Sequence, residues 1–268
     1  MSEPLLVADR LTRRFGGLAA NRDVSLALQR GMLHALLGPN GAGKSTCLNL
    51  LSGELTPSAG RILLGGRDIT GLSAWRRSRA GIGRSFQRSN IFDGFTALEN
   101  CRLAAQSRAP HPWRVFSDAR TRRDLLERAY AAIEQVGLGD RADRVAGALS
   151  HGEQRQLELA MVLATDARVL LLDEPLAGMG SDESAQMVAL LKTLSPTHAI
   201  LLVEHDMDAV FELADVITVM VDGQVLESGP PLQIRNSPGV RLAYLGEDIG
   251  EAPPRQAAVE LVAGARNG

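Results

Sequence analysis

Lysine is nearly absent from this chain. Of its 29 lysines and arginines, only Lys44 and Lys192 are lysine. Where the sequence is free to choose a cation it takes arginine, so a lysine marks a place that needs a compact ammonium and not a planar guanidinium fork. Surplus charge of either sign is missing too. The 29 basic residues nearly cancel 31 acidic ones, leaving a net charge of −2 and a pI near 6.2. That excludes a general electrostatic pull toward nucleic acid, and none is expected as a partner. Cysteine is limited to Cys47 and Cys101. Their spacing fits no metal site, and two reduced thiols in a cytosolic chain are expected. No apolar run approaches the roughly 20 residues that span a bilayer. Met1-Ser2-Glu3-Pro4 has neither the basic nor the apolar region of a signal peptide. A membrane role is therefore expected to pass through a partner.

What is present suits a globular protein. At 268 residues and 45% apolar composition, the chain buries a substantial core as one large domain or a domain with a subdomain. Residues 5–8, 24–28 and 61–64 read as short strands of an antiparallel sheet. Residues from about 96 to 165 read as helical. Thr96-Ala97-Leu98-Glu99 is a capping-box start, residues 117–136 are charged and amphipathic, and 108–113 read as a loop. Residues 168–173 and 199–204 are nearly continuous apolar runs, as in parallel strands covered on both faces. Residues 216–221 and 224–227 flank Asp222-Gly223, a hairpin turn. The tail at 246–268, rich in Glu, Pro, Ala and Arg, is expected to fray. The fold class is α/β, with an antiparallel β arm and a helical insertion.

The most informative stretch is Gly38-Pro39-Asn40-Gly41-Ala42-Gly43-Lys44-Ser45-Thr46, a complete G-x-x-x-x-G-K-[ST] phosphate loop. It lies between an apolar strand at 32–37 and a helix at 46–51, the context such a loop needs. Gly38, Gly41 and Gly43 let several backbone N–H groups face one phosphate beside the positive end of the helix dipole. Lys44 then reaches the β- and γ-phosphates of a nucleoside triphosphate, and the Ser45 hydroxyl holds Mg²⁺. Further on, a strand ends in Asp173-Glu174-Pro175. The first acid is placed for the Mg²⁺ shell and the second to polarise a water, although acids after strands also cap following helices.

Leu149-Ser150-His151-Gly152-Glu153-Gln154 decides among phosphate-loop proteins, together with Gln87 in Ser85-Phe86-Gln87, His205 in Val203-Glu204-His205-Asp206, and Phe15. With these motifs in this order, residues 5–245 resemble the nucleotide-binding subunits of ATP-binding-cassette (ABC) transporters. The resemblance implies a RecA-like P-loop NTPase core, a helical subdomain at about 96–165, ATP with Mg²⁺, and hydrolysis in a dimer. It implies that Phe15 stacks on adenine, where most relatives carry tyrosine. Gln87 would link the metal site, held with Ser45 and Asp173, to a transmembrane partner. Glu174 would be catalytic, and His205 would contact the γ-phosphate in cis. Ser150 and Gly152 would contact the γ-phosphate bound to the opposite subunit. Ser150-His151-Gly152-Glu153 is also a capping box, and the two readings agree, because a serine-capped helix start is an anion site.

The sequence departs from that pattern in places. His151 and Glu153 replace a glycine and a glutamine of the usual signature. Glu153 brings a negative charge near the incoming phosphate, although as the third helical residue it turns back toward Ser150. Gly180 stands where an Asp or Asn usually crosses the dimer interface, which puts communication between subunits in question. Arginines 76, 77, 79, 84 and 88 read as a solvated face in preference to a nucleic-acid patch.

Several segments resemble the ATPases of branched-chain amino acid importers and their relatives for urea and amides. They are Arg14-Phe15-Gly16-Gly17-Leu18, Arg84-Ser85-Phe86-Gln87, Asn90-Ile91-Phe92, Thr96-Ala97-Leu98-Glu99-Asn100, Glu204-His205-Asp206-Met207 and Ala243-Tyr244-Leu245-Gly246-Glu247. That resemblance implies two permease subunits, a second ATPase subunit and an external solute-binding protein, with this chain peripheral on the cytoplasmic face of the inner membrane. The permease would dock on residues 87–99, where Phe92 and Phe95 read equally as exposed anchors or as core. A lipopolysaccharide-export ATPase is the alternative. A non-transport ABC protein usually has two cassettes or a long coiled coil, and a small P-loop kinase lacks the signature and His205.

Overall fold

The computed structural model describes residues 3–86, 90–108 and 123–244. Strands β1 (Leu6–Phe15) and β2 (Leu18–Leu28) form a hairpin that turns at Gly16-Gly17, longer than the sequence pattern suggests. β3 (Met32–Leu37) enters the phosphate loop and α1 (Lys44–Ser52) leaves it. β4 (Ala59–Leu64), β5 (Arg67–Asp68), α2 (Ala74–Ala80) and β6 (Ile82–Arg84) follow. The helical subdomain contains α3 (Ala97–Gln106), α4 (Arg123–Gln135) and α5 (His151–Ala164). The chain returns through β7 (Val169–Asp173), α6 (Ser181–Leu194), β8 (Ala199–Val203), α7 (Met207–Leu213), β9 (Val216–Val221) and β10 (Gln224–Gly229). Helices α8 (Pro231–Asn236) and α9 (Pro238–Tyr244) close the described chain. The expected loop at 109–113, the start of the amphipathic segment at 117–122 and the tail at 246–268 lie outside the described residues.

Two sheets organise these elements. A six-stranded sheet has the order β10-β9-β3-β8-β7-β6, and a four-stranded sheet has the order β2-β1-β4-β5. In the larger sheet only β10 runs antiparallel to its neighbour. Side chains alternate between faces along each strand. Leu33, Ala35, Leu170, Leu172, Ile200 and Leu202 join a core with α3, α4, α5 and α6. Leu36, Val169, Leu171, Ala199 and Leu201 join the other, with Leu48 and Leu51 of α1 and Leu6 and Ile62 of the antiparallel sheet. Both faces are covered, so β7 and β8 carry no polar alternation.

Local signals read from sequence recur in the structure. The Glu99 amide donates to Thr96 Oγ1 at 3.1 Å and the Thr96 amide to Glu99 Oε2 at 3.0 Å, the reciprocal bonds of a capping box. Asp222 and Gly223 both take positive φ, 49° and 77°, as a tight hairpin turn requires. The arginine group departs from a solvated face. Arg76 and Arg79 are exposed, but Arg77 is buried and donates to the Leu50, Leu51, Thr70 and Leu72 carbonyls at 2.6–3.0 Å. The last carbonyls of α1 have no partners within their own helix, and a buried fork of five donors supplies them. Arg84 is likewise enclosed, and Arg88 lies outside the described residues.

Candidate functional site

The phosphate loop is shaped by its neighbours. A Cβ on Gly38 would come within 2.2 Å of the Met220 carbonyl of β9, and one on Gly43 within 2.4 Å of the Ala20 carbonyl of β2. Both glycines hold positive φ, so close approach and backbone conformation demand the same residue. Gly43 precedes α1 without a side-chain cap, leaving the helix's first N–H groups to whatever lies beside the loop. Pro39 is half-buried and Ala42 buried, whereas Asn40, Gly41 and Ser45 are exposed and Thr46 is half-buried. Lys44 Nζ donates to the Gly38 carbonyl at 2.6 Å and the Pro39 carbonyl at 3.1 Å. Burial lowers the Lys44 pKa, against the pull of the negative Glu174 and Asp173. Lys192, by contrast, makes an exposed ion pair with Glu212.

Acids and a histidine arrive from adjacent parallel strands. Asp173 ends β7, buried, with Arg84 Nη2 at 3.5 Å from its Oδ2 and its amide donating to Ser85 Oγ at 3.2 Å. Burial pushes the Asp173 carboxyl above its ordinary value, and the Arg84 charge opposes that. Arg84 also donates to Asn49 Oδ1 at 2.6 Å and Ser52 Oγ at 2.8 Å, so it ties the end of β7 to α1. Glu174 sits at φ 50° with its amide donating to the Val203 carbonyl at 2.8 Å. Its Oε1 lies 3.8 Å from Nδ1 of His205, an exposed residue just past β8. Loop, acids and histidine thus share the C-terminal edge of the parallel strands, where ligands of open α/β sheets bind.

The donor set suits a hard cation. The Ser45 hydroxyl and Asp173 carboxylate are oxygen donors of the kind Mg²⁺ takes, completed by phosphate oxygens and water. Among the described residues no group of three or more His, Cys, Asp or Glu forms a self-sufficient metal cage. Gln87, expected as a further ligand, lies outside the described residues.

Ser150 and Gly152 gather around a different residue. Ser150 Oγ accepts from the Glu153 amide at 3.2 Å, and the Ser150 amide donates to Glu153 Oε2 at 2.8 Å, which turns that carboxylate back as its place in the helix implies. The Ser150 backbone contact holds the Glu153 carboxyl below its ordinary range, helped by Arg141 at 3.1 Å. Glu183 Oε1 accepts from Ser150 Oγ and from the Gly152 amide, each at 3.2 Å. A Cβ on Gly152 would lie 2.6 Å from the Glu183 carboxyl carbon, so a larger residue there would displace that carboxylate. Phe15 is 46% exposed at the end of β1, with the Arg13 guanidinium 4.7 Å from its ring centroid. Phe92 and Phe95 are exposed and stacked at 5.6 Å, which resolves the choice between anchors and core in favour of exposure.

Sequence reading missed several residues of this region. In sequence Arg84 reads as one of a group of surface arginines, and Glu183 shows no signal beyond an acid in a helix's first turn. The apolar run at 199–204 reads as a strand through Glu204, whereas the strand ends at Val203. It is buried, and burial pushes its carboxyl up while the Leu176 and His205 amides oppose that. An acid directly continuing a fully apolar run was the available clue.

Fold and site together define an ABC ATPase cassette. The ABC transporter family profile matches residues 21–177. The chain is 40% identical to the high-affinity branched-chain amino acid transport ATP-binding protein BraF of Pseudomonas aeruginosa, over 92% of this chain and all of that one. It is 39% identical to LivG of Escherichia coli, of the same description and with the same coverage. Among solved structures, the ADP conformation of MJ1267, an ATP-binding cassette of an ABC transporter, superposes with a TM-score of 0.82 at 27% identity, covering 92% of this chain and all of that one. The chain belongs to the ABC transporter family and is an ATP-hydrolysing subunit of that family.

Proposed function

We propose that this chain drives an importer for branched-chain amino acids or related polar solutes, docked on permease subunits at the cytoplasmic face of the inner membrane. The 40% identity to BraF along its whole length carries this reading. Among the described residues no helix is long and apolar enough to cross a membrane, so the path for solute belongs to partner subunits. The exposed Phe92–Phe95 pair, which follows Gln87 closely in sequence, supports permease docking there.

In this reading Phe15 supports the adenine ring, and the amides of residues 38–46 with Lys44 cradle the phosphates. Ser45 and Asp173, with Gln87, hold Mg²⁺, which when bound neutralises phosphate charge. Glu174 takes up the proton side of water attack, and His205 orients the γ-phosphate from the neighbouring strand. Ser150 and Gly152 complete the site of a second copy or a homologous ATPase subunit, so hydrolysis occurs in a nucleotide-sandwiched dimer. Dimer closure and reopening switch the permease, which collects solute from an external binding protein.

The test is Glu174→Gln. ATP binding stays intact, turnover falls at least about a hundredfold, and an ATP-bound dimer accumulates. Near-parent turnover in that variant removes Glu174 from its role. Co-purification from membranes with permeases, and ATP-dependent uptake of a branched-chain amino acid by the reconstituted assembly, tests the transport reading. Export of a lipid in its place would favour the lipopolysaccharide alternative.

A further inference from the structure

Glu204 is 1% exposed. A carboxylate so deeply enclosed needs hydrogen-bond donors, and it has two. Its Oε1 accepts the Leu176 amide at 2.8 Å and its Oε2 accepts the His205 amide at 3.1 Å. The Glu174 amide donates to the Val203 carbonyl at 2.8 Å. Pro175, between them, has no N–H to give. Every backbone donor from residue 174 to 176 therefore ends on the last residue of β8 or the one after it. That bracketing has a purpose at Glu174, which holds φ at 50°, a left-handed conformation unfavourable for a residue with a Cβ. The same carboxylate fixes the backbone of His205, whose Nδ1 lies 3.8 Å from Glu174 Oε1 and 3.9 Å from Glu204 Oε2.

We infer that Glu204 is a positioning residue for hydrolysis: one buried side chain sets the Glu174 backbone and His205 against each other, and so registers the water-activating group with the γ-phosphate contact. The inference rests on the roles proposed for Glu174 and His205. Two oxygens of one rigidly held group move together, so neither partner can shift without disturbing the other.

Steady-state ATP turnover of the purified full chain tests it, using Glu204→Ala, Glu204→Gln, His205→Ala and the double variant Glu204→Ala with His205→Ala. Glu204→Ala is expected to lower kcat about tenfold or more, with KM within about threefold of the parent. Glu204→Gln keeps an acceptor for the Leu176 amide and should fall between the two. In the His205→Ala background, which keeps the residue-205 amide, the Glu204→Ala loss should shrink by about threefold or more, since the imidazole that one of its two arms positions is already gone. A merely structural role would give the same fold loss in both backgrounds, and that result overturns the inference. So does a raised KM with kcat unchanged. If Glu204→Ala yields no folded protein, the same cycle run with Glu204→Gln decides in the same way. Should Glu174→Gln and His205→Ala both turn over like the parent, the reading of the site fails and this inference with it. Should they lose turnover while both Glu204 variants keep it, only the inference falls.

Discussion

The Glu183 carboxylate lies 3.2 Å from Ser150 Oγ and also accepts the Gly152 amide. An acid of this chain thus occupies the two donors that the proposed dimer directs at a partner's γ-phosphate. The same carboxylate receives the Gly180 amide at 3.4 Å, so it joins the start of α5 to the start of α6.

Releasing those donors should ease dimer closure. In the Glu174→Gln background, Glu183→Ala is expected to lower the ATP concentration for half-maximal dimer by about threefold or more, read by size-exclusion chromatography. An unchanged or raised midpoint would show that Glu183 does not compete with phosphate.

Gly180 can accept a side chain. Its φ is −70° and a Cβ there meets nothing within 4 Å. Gly180→Asp should leave unfolding stability within about 0.5 kcal/mol, because glycine and aspartate are both acceptable helix N-caps. We expect the Hill coefficient for ATP to change more than the affinity. Equal coefficients in parent and variant would count against this position as a route between subunits.

His34 predicts a pH dependence of stability. It is buried, shares a 2.7 Å hydrogen bond with Thr218 Oγ1, and burial lowers its pKa to about 4, opposed by an Ala27 backbone contact. In the unfolded chain it titrates near 6.5. Below that pH the unfolded state binds a proton that the folded state refuses, so this contribution falls as pH drops from 6.5 toward 4. The full effect is about 3 kcal/mol. Urea midpoints of the parent should fall more steeply over this range than those of His34→Gln. Parallel profiles would refute the assignment.

Cys47 and Cys101 should be silent to thiol reagents in the folded chain. Both are enclosed, and burial pushes each thiol up to about 12. A chromogenic disulfide at pH 8 should label neither in native protein and both in guanidinium, since only the thiolate reacts. Rapid native labelling would mean local opening around α1 or α3.

Much of this was legible because it is local. The phosphate loop announces itself by glycine spacing and a rare lysine, the capping boxes at Thr96 and Ser150 by residue type at fixed offsets, and the Asp222-Gly223 turn by its need for positive φ. Strands β7 and β8 were visible as apolar runs for a reason that the two-faced core supplies. The arginines were not legible. Nothing in a run of them distinguishes Arg76, which faces solvent, from Arg77, which closes the end of α1 through carbonyls of Leu50 and Leu51.

The sequence by itself determined the chemistry: a loop for phosphate, acids after a strand, a serine-capped signature, and so an ATPase of the cassette type. Only the tertiary structure decided which groups stand together. Glu183 comes to Ser150 from 33 residues away, Arg84 reaches Asp173 across paired strands, and Glu204 binds the Leu176 amide between neighbouring strand ends. The last two pairings follow from the order β8-β7-β6 in the sheet. That order is fixed by burial of both sheet faces, which no single segment of the chain can express alone.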